Sequence, residues 1–238
     1  MDADVLKAIE VSHLHRVAPN SLRKLLSGAQ RKDIPARTVT HREGDTNPHF
    51  ELIVAGVVRV FVRAPDGRTL TIRYCRPGSL LGAGSLFASD FSLPASLQTL
   101  TATKLLSLSP ESVRQMVNED PKVAVALLEE LSERVLTFIY QIPDSAFASV
   151  RQRMARHLLD LASELASENV RAGPEPDTEL LVKASQSELA EAVGTAREVV
   201  VRILRELRQD GIVHTGRAGI VILDPARLVR EMRWNIGS

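Results

Sequence analysis

A single cysteine, Cys75, stands among the 238 residues. It has no partner for an internal disulfide, and a Cys-only zinc site or an iron–sulfur cluster needs several thiolates. Long apolar runs are also missing: no stretch approaches the roughly 18–20 residues of a membrane span. The acidic opening from Met1 to Glu10 lacks the basic start and apolar core of a signal peptide. The expectation is a cytoplasmic chain without a membrane partner. Neither charge sign dominates, since 30 Lys and Arg stand against 29 Asp and Glu for a formal net charge of +1. Attraction to a polyanion must therefore come from a local patch. What is present, 44% hydrophobic and 25% charged residues, suits one large or two ordinary globular domains.

From about Thr38 to Ser109 the chain reads as short β-rich runs, Glu51 to Gly56, Val57 to Ala64, Arg68 to Cys75 and Ala95 to Ser109. Ala64-Pro65-Asp66-Gly67 is a turn: proline presets its own φ and glycine accepts a positive one, which predicts an antiparallel hairpin on either side. Many short strands punctuated by Gly and Pro predict a small barrel or jelly roll. After Ser109-Pro110-Glu111 the pattern turns helical, and Asn118-Glu119-Asp120-Pro121 reads as a cap with proline in the first helical turn. Ala124, Leu128, Leu131, Val135, Phe138 and Ile142 then alternate in steps of four and three, the spacing of a coiled-coil seam. A second stripe, Ala126, Leu127, Leu136 and Ile139, predicts that the same helix also docks on its own barrel. Pro143 is expected to end or kink it and to mark a hinge. Another amphipathic helix is predicted from Ala146 to Ser167, followed by a Gly- and Pro-containing loop from Arg171 to Asp177.

The most specific pattern lies between Ser185 and Leu207. Ser185-Gln186-Ser187-Glu188 is a capping box, and Gly194 suits the positive φ of a tight interhelical turn. Thr195-Ala196-Arg197-Glu198 reads as a second capping box. With small Ala190 and apolar Val193, Val200 and Ile203 at fixed offsets, this is a helix-turn-helix. Arg197, Glu198, Arg202 and Arg205 form the polar side of its second helix. Arginine reads guanine in the major groove and a carboxylate accepts from cytosine, although Glu198 has a purely structural role open to it as well. Downstream, Ile212 to Thr215 and Gly219 to Leu223 bracket Gly216-Arg217-Ala218 as a wing hairpin, with Arg217 near the phosphates.

The whole arrangement resembles the Crp-Fnr family of bacterial transcription factors, named for the cyclic-AMP receptor protein and the fumarate-nitrate regulator. The resemblance implies an α+β chain: a double-stranded β-helix sensor of the cyclic-nucleotide-binding kind (residues 1–119), a dimerisation helix and hinge (120–143), and a winged helix-turn-helix (144–238). The family's Arg-Glu-x-x-x-Arg recurs as Arg197 to Arg202, which implies a TGTGA-like half-site on a near-palindromic operator. Ser185 and Thr195 would touch phosphates, which position the protein without specifying sequence. A homodimer paired along Ala124 to Ile142, double-stranded DNA and RNA polymerase are the implied partners.

The sensor departs from the family pattern. Pro77 to Phe87 keeps the frame, but ungapped counting puts Ala83, between Gly82 and Gly84, at the family's glutamate, and Leu93-Pro94 at its Arg-Ser pair. The adenine-contacting Thr-Ser pair falls at Phe138-Ile139. A buried cyclic phosphate needs a charge-assisted partner, so cyclic AMP is not expected as the effector by the usual mode. Ile72 and Arg73 on the preceding strand complete the candidate pocket; Arg73 and Arg76 would attract an anion or serve as solvated strand ends. Three readings stay open: a more apolar small molecule, loss of ligand control, or a cofactor such as haem on His13, His15, His41, His49 or Cys75. Redox sensing through Cys75 competes with its being a small buried hydrophobe. A cupin-type enzyme is disfavoured, because His41-Arg42-Glu43-Gly44-Asp45 and His49 lack a second contributing strand. A protein-binding adaptor leaves the recognition-helix arginines without a use.

Overall fold

The computed structural model describes residues 2–170, 180–216 and 218–232. In chain order its elements are α1 (Ala3–Glu10), a 3-10 turn (His13–Arg16), α2 (Pro19–Leu26), β1 (Gln30–Ile34), β2 (Val39–His41), β3 (Phe50–Ala55), β4 (Val58–Arg63), β5 (Thr69–Cys75) and β6 (Leu80–Leu81). A second 3-10 turn (Ala83–Leu86) leads to β7 (Ser96–Thr99), β8 (Thr103–Leu108), α3 (Pro110–Glu119), α4 (Pro121–Phe147) and α5 (Val150–Val170). The C-terminal part holds β9 (Leu180–Val182), α6 (Gln186–Val193), α7 (Arg197–Gln209), β10 (Val213–Gly216), β11 (Gly219–Ile222) and α8 (Pro225–Glu231). Contacts divide the chain into two compact units, Met1–Val60 with Cys75–Ile139, and Phe61–Tyr74 with Tyr140–Ser238.

Two four-stranded sheets, ordered β1-β8-β3-β6 and β2-β7-β4-β5, make the β-roll. Alternation along the strands sorts the side chains onto two faces. Ile53, Leu81 and Leu105 of the first sheet meet Val58, Cys75 and Leu97 of the second in the interior. Phe50, Leu52, Leu80, Leu106 and Leu108 point the other way, into a second core closed by α1, α2, α3 and α4. The β-region begins at Gln30, ahead of the expected Thr38, because β1 is exposed along nearly its whole length and shows no alternation. The Ala64–Gly67 turn forms as expected: the Gly67 N–H donates to the Ala64 carbonyl at 2.9 Å, and Gly67 has φ +87°.

Helix α4 starts where the sequence indicated, with Pro121 first and the Asp120 carboxylate accepting the Lys122 N–H at 3.0 Å. Its inner stripe, Val123, Ala126, Leu127 and the paired Glu130 and Arg134, packs on the β-roll. Arg134 Nη2 also donates to the Leu80 carbonyl at 2.6 Å. Leu131, assigned to the outer seam, packs partly against this same core. Leu136 and Ile139, expected to dock inward, are exposed instead, because the turn of the helix puts them on the side away from Glu130 and Arg134. Of the two outcomes expected at Pro143, an end or a kink, the end does not occur: α4 continues through it to Phe147. The break falls instead at Ala148-Ser149, where a second signal acts. Gln152 N–H donates to Ser149 Oγ at 3.2 Å and Ser149 N–H to Gln152 Oε1 at 2.8 Å, a reciprocal capping box that starts α5 at Val150, later than the predicted Ala146.

Loss of that box should destabilise the C-terminal unit by about 1 kcal/mol. Ser149→Ala is expected to lower the urea midpoint of this unit at unchanged slope; an unmoved midpoint would show that α5 does not depend on the cap.

Candidate nucleic-acid interface

The helix-turn-helix is built from its caps inward. Ser185 Oγ accepts the Glu188 N–H at 3.2 Å and Glu188 Oε2 accepts the Ser185 N–H at 2.7 Å, the predicted capping box. Gly194 has φ +69° and ψ +45°, and the Thr195 N–H closes the turn on the Ala190 carbonyl at 2.9 Å. Leu189, Ala190, Ala192 and Val193 of α6 and Val200, Ile203, Leu204 and Leu207 of α7 are buried together. The second predicted capping box does not form. The N-cap of α7 is Ala196, whose carbonyl accepts the N–H groups of Val199 and Val200, while the Thr195 N–H is engaged in the turn. Thr195 and Glu198 are therefore released from the reciprocal pairing that the sequence suggested.

Arg197, Glu198, Arg202 and Arg205 all lie on the exposed side of α7, with Arg202 70% exposed. Arg197 makes a long 3.4 Å bond to Gln186 Oε1 of α6. A helix with two exposed arginines on its first two turns, one of them only loosely paired with a carboxylate (Arg202 with Glu206 at 3.9 Å), matches what a major groove accepts. The wing pairs Val213 with Ile222 through Gly216 with Gly219, and β9 adds a third, unforeseen strand through Val182 and Ile220. Gly219 has to be glycine: a Cβ there would stand 2.4 Å from the Val182 carbonyl oxygen. Arg217 lies outside the described residues.

Sequence reasoning missed the residue that ties this unit together. Arg151, in the first turn of α5, donates Nε and Nη2 to the two oxygens of Glu231 at 2.8 and 3.1 Å, Nη1 to Glu206 at 3.0 Å and Nη2 to Asp210 at 2.8 Å. The hydrogen bonds that Arg151 donates to Glu231 hold its guanidinium well above the ordinary range, and the same bonds hold the Glu231 carboxyl below its own. No local pattern announces a residue whose partners lie 55 to 80 positions away. In the same unit the β4–β5 hairpin reaches α6: Leu70 bridges Val193, and Thr69 Oγ1 donates to the Glu191 carbonyl at 3.1 Å. Ile72 and Arg73 are half-buried on β5 of that hairpin.

The remaining candidate effector residues belong to the first unit. Gly82 has φ +84°, and a Cβ on it would fall 2.0 Å from the His49 carbonyl oxygen. Ala83 is fully buried, Gly84 and Pro94 are exposed, and Leu93 lies in the apolar interior with Leu81 and Leu97. Phe138 and Ile139 are exposed on α4. No charged side chain stands at any of these positions to meet a phosphate. The polar group of this interior joins His41 and His49, which the sequence singled out together, to Glu51 and Lys32, which it did not. His41 and His49 stack with ring centroids 4.1 Å apart, His49 meets Phe91 edge-on, and the Glu51 carboxylate, 1% exposed, accepts from Lys32 Nζ at 2.8 Å. Neither ring nitrogen of His49 has a well-aligned hydrogen-bond partner among the described residues. Ser85 Oγ accepts the His49 N–H at 3.1 Å, which ties this histidine to the Gly82–Leu86 turn. Of the other haem candidates, Cys75 is buried among aliphatic side chains, His13 lies among Glu129, Glu130 and Glu133, and His15 is exposed.

Comparison with known proteins follows this division. A cyclic nucleotide-binding domain model matches residues 31–120, and a Crp-like helix-turn-helix domain model matches residues 152–231. The chain is 28% identical over 207 residues to the CRP-like protein Clp of Xanthomonas euvesicatoria pv. vesicatoria, covering 85% of this chain and 87% of that one. It is 26% identical to the CRP-like cAMP-activated global transcriptional regulator of Mycobacterium tuberculosis, over 91% of this chain and 94% of that one. Among solved structures, the c-di-GMP responsive global regulator CLP of Xanthomonas campestris is similar with TM-score 0.72 and 26% identity, covering 86% of this chain and 99% of that one. A CRP/FNR-family transcriptional regulator from Thermus thermophilus is similar with TM-score 0.69 and 26% identity, covering 85% and 98%. Among the described residues no helix is long and apolar enough to cross a membrane.

Burial, reinforced by the neighbouring His41, holds the His49 imidazole below its ordinary value near 6.5. The folded chain therefore resists the proton that the unfolded chain accepts. Stability from this site is complete above pH about 6.5 and falls as pH drops below it. Urea unfolding from pH 8 to pH 5 should show this loss in the N-terminal unit, and His49→Phe should flatten it; equal pH profiles for the two proteins would contradict the assignment.

Proposed function

Because the chain belongs to the Crp-Fnr family of transcription regulators, with a Crp-like DNA-binding helix-turn-helix and a cyclic nucleotide-binding-type domain, we propose that it reads a near-palindromic, TGTGA-like operator as a homodimer. The observation that carries this reading is the pair Arg197 and Arg202, exposed on the first two turns of α7 behind a tightly closed turn. Arg197 and Arg202 contact guanines and Glu198 accepts from a cytosine. Ser185, Thr195 and Arg217 hold backbone phosphates and fix the register. Two such helices, one per protomer, enter successive major grooves about 34 Å apart.

Pairing runs along α4, between residues 120 and 143, with residues 1–119 sensing and 144–238 reading. Leu128, Val135, Phe138 and Ile142 form the seam from Ala124 onward, and Leu136 and Ile139 widen it. A signal in the β-roll acts by changing how α4 continues across Ala148-Ser149 into α5, favouring one orientation of the reading domains. Cyclic AMP by the family's usual mode does not fit: a cyclic phosphate would meet buried Ala83 and Leu93 where it needs charge-assisted donors. The Xanthomonas campestris relative is described as responsive to c-di-GMP, so similar chains do serve effectors other than cyclic AMP. The regulator works in the cytoplasm, with RNA polymerase as its further partner.

Fluorescence anisotropy on a TGTGA-type palindrome and a scrambled duplex, at fixed physiological salt, tests this reading. The palindrome should bind more tightly, and cyclic AMP should not change its affinity. Arg197→Ala should weaken binding by about 1–3 kcal/mol and relax preference at one base pair of each half-site. Equal affinity for the two duplexes, or an Arg197→Ala variant with unchanged preference, would overturn the assignment.

A further inference from the structure

Arg202 shares its helix face with an acidic neighbour. Glu206, one turn further along α7, lies with Oε1 3.9 Å from Arg202 Nε, close enough to attract but not hydrogen-bonded. Asp210 follows at the same spacing, so two carboxylates stand i and i+4 on one helix, an arrangement that repels. A third, Glu231 at the end of α8, joins them around Arg151. One guanidinium bonds all three, and its Nη1 holds Glu206 by Oε2, the oxygen not turned toward Arg202. The Arg151 side chain is only 25% exposed, so its fork is oriented by these bonds and is weakly screened.

We propose that Arg151 is a positioning residue for DNA reading: by holding Glu206 it keeps the intrahelical Arg202–Glu206 ion pair long and without a hydrogen bond, which leaves the Arg202 donors for the base edges. A guanidinium can bond either Glu206 or a guanine edge with its donors, and the two uses compete directly. With Arg151 removed, Glu206 loses its compensating charge and becomes the nearest strong acceptor for Arg202. The pair then tightens into a hydrogen-bonded one that Arg202 has to break before it reads a base, and part of its discrimination is lost. A merely structural Arg151 would instead lower stability and leave base preference as it is. The inference rests on the proposed DNA-reading role of Arg202, and the experiment separates the two.

Anisotropy of the full chain is measured on the TGTGA-type palindrome, on a scrambled duplex and on duplexes carrying single-base changes in both half-sites. Arg202→Ala identifies the base pair that Arg202 reads. The wild-type chain should discriminate at that pair by about tenfold or more, and Arg151→Met should reduce this to about twofold. Adding Glu206→Gln to Arg151→Met should restore most of the discrimination, although it restores no staple between the helices. Arg151→Lys, which keeps a cation, should lose about threefold, again recovered by Glu206→Gln, so the cycle is read even if the methionine variant fails to fold. Unchanged discrimination in Arg151→Lys and in folded Arg151→Met, or a loss that Glu206→Gln does not recover, would overturn the inference. A wild-type chain that does not distinguish the palindrome from the scrambled duplex would remove the reading beneath it.

Discussion

Along α4 a helix of 27 residues, about 40 Å long, lays one face on its own β-roll and leaves the other in water. Leu128 is 62% exposed and Ile142 61%, with Val125, Val135, Leu136, Phe138 and Ile139 also exposed along the helix. Each such side chain is worth about 1.5–3 kcal/mol when fully buried, and a contiguous apolar strip of this length is unusual on a protein that works alone. Covering it with the same strip of a second copy satisfies both chains at once and imposes a twofold axis. The proposed reading of a palindrome follows from that axis, because each protomer then brings one α7 to the DNA.

The inner face of α4 carries the other half of the design. Arg134 bonds both Glu130 and the Leu80 carbonyl, and Leu80 immediately precedes the Leu81–Gly82 bend. Through Ser85, that bend is bonded to the backbone of His49, whose ring lies in the interior where Ala83 and Leu93 supply no charge. His49 is thus joined to α4 by a chain of hydrogen bonds, Arg134 to Leu80, Ser85 to Gly82 and Ser85 to His49, with the Leu80–Gly82 backbone between. This connection is made of hydrogen bonds to backbone, which the identity of the side chains in the sequence does not reveal.

The helix-turn-helix was legible because its requirements are local and act at fixed offsets: a capped start at Ser185, a positive φ at Gly194 and apolar residues where the two helices touch. The jelly roll was legible from turns and alternation, except at β1, where exposure on both faces removes the alternation. Local rules also misled where two of them competed. Thr195 had the side chain of a cap, but the turn took its N–H and left Ala196 to begin α7. Pro143 had the chemistry of a stop, yet the helix ended where Ser149 and Gln152 cap its successor. That second box, Ser149 to Gln152, has a spacing that is local and readable. The partners of Arg151, and the joining of Glu51 and Lys32 to His41 and His49, were not readable, since each depends on residues brought together only by the fold.

Sedimentation equilibrium of the full chain, beside a variant carrying Leu128→Asp and Ile142→Asp, tests the pairing on which the account depends. The account predicts twice the 26.1 kDa chain mass for the wild type and the single-chain mass for the variant. A monomeric wild type, or a dimer that the two aspartates leave intact, would contradict it.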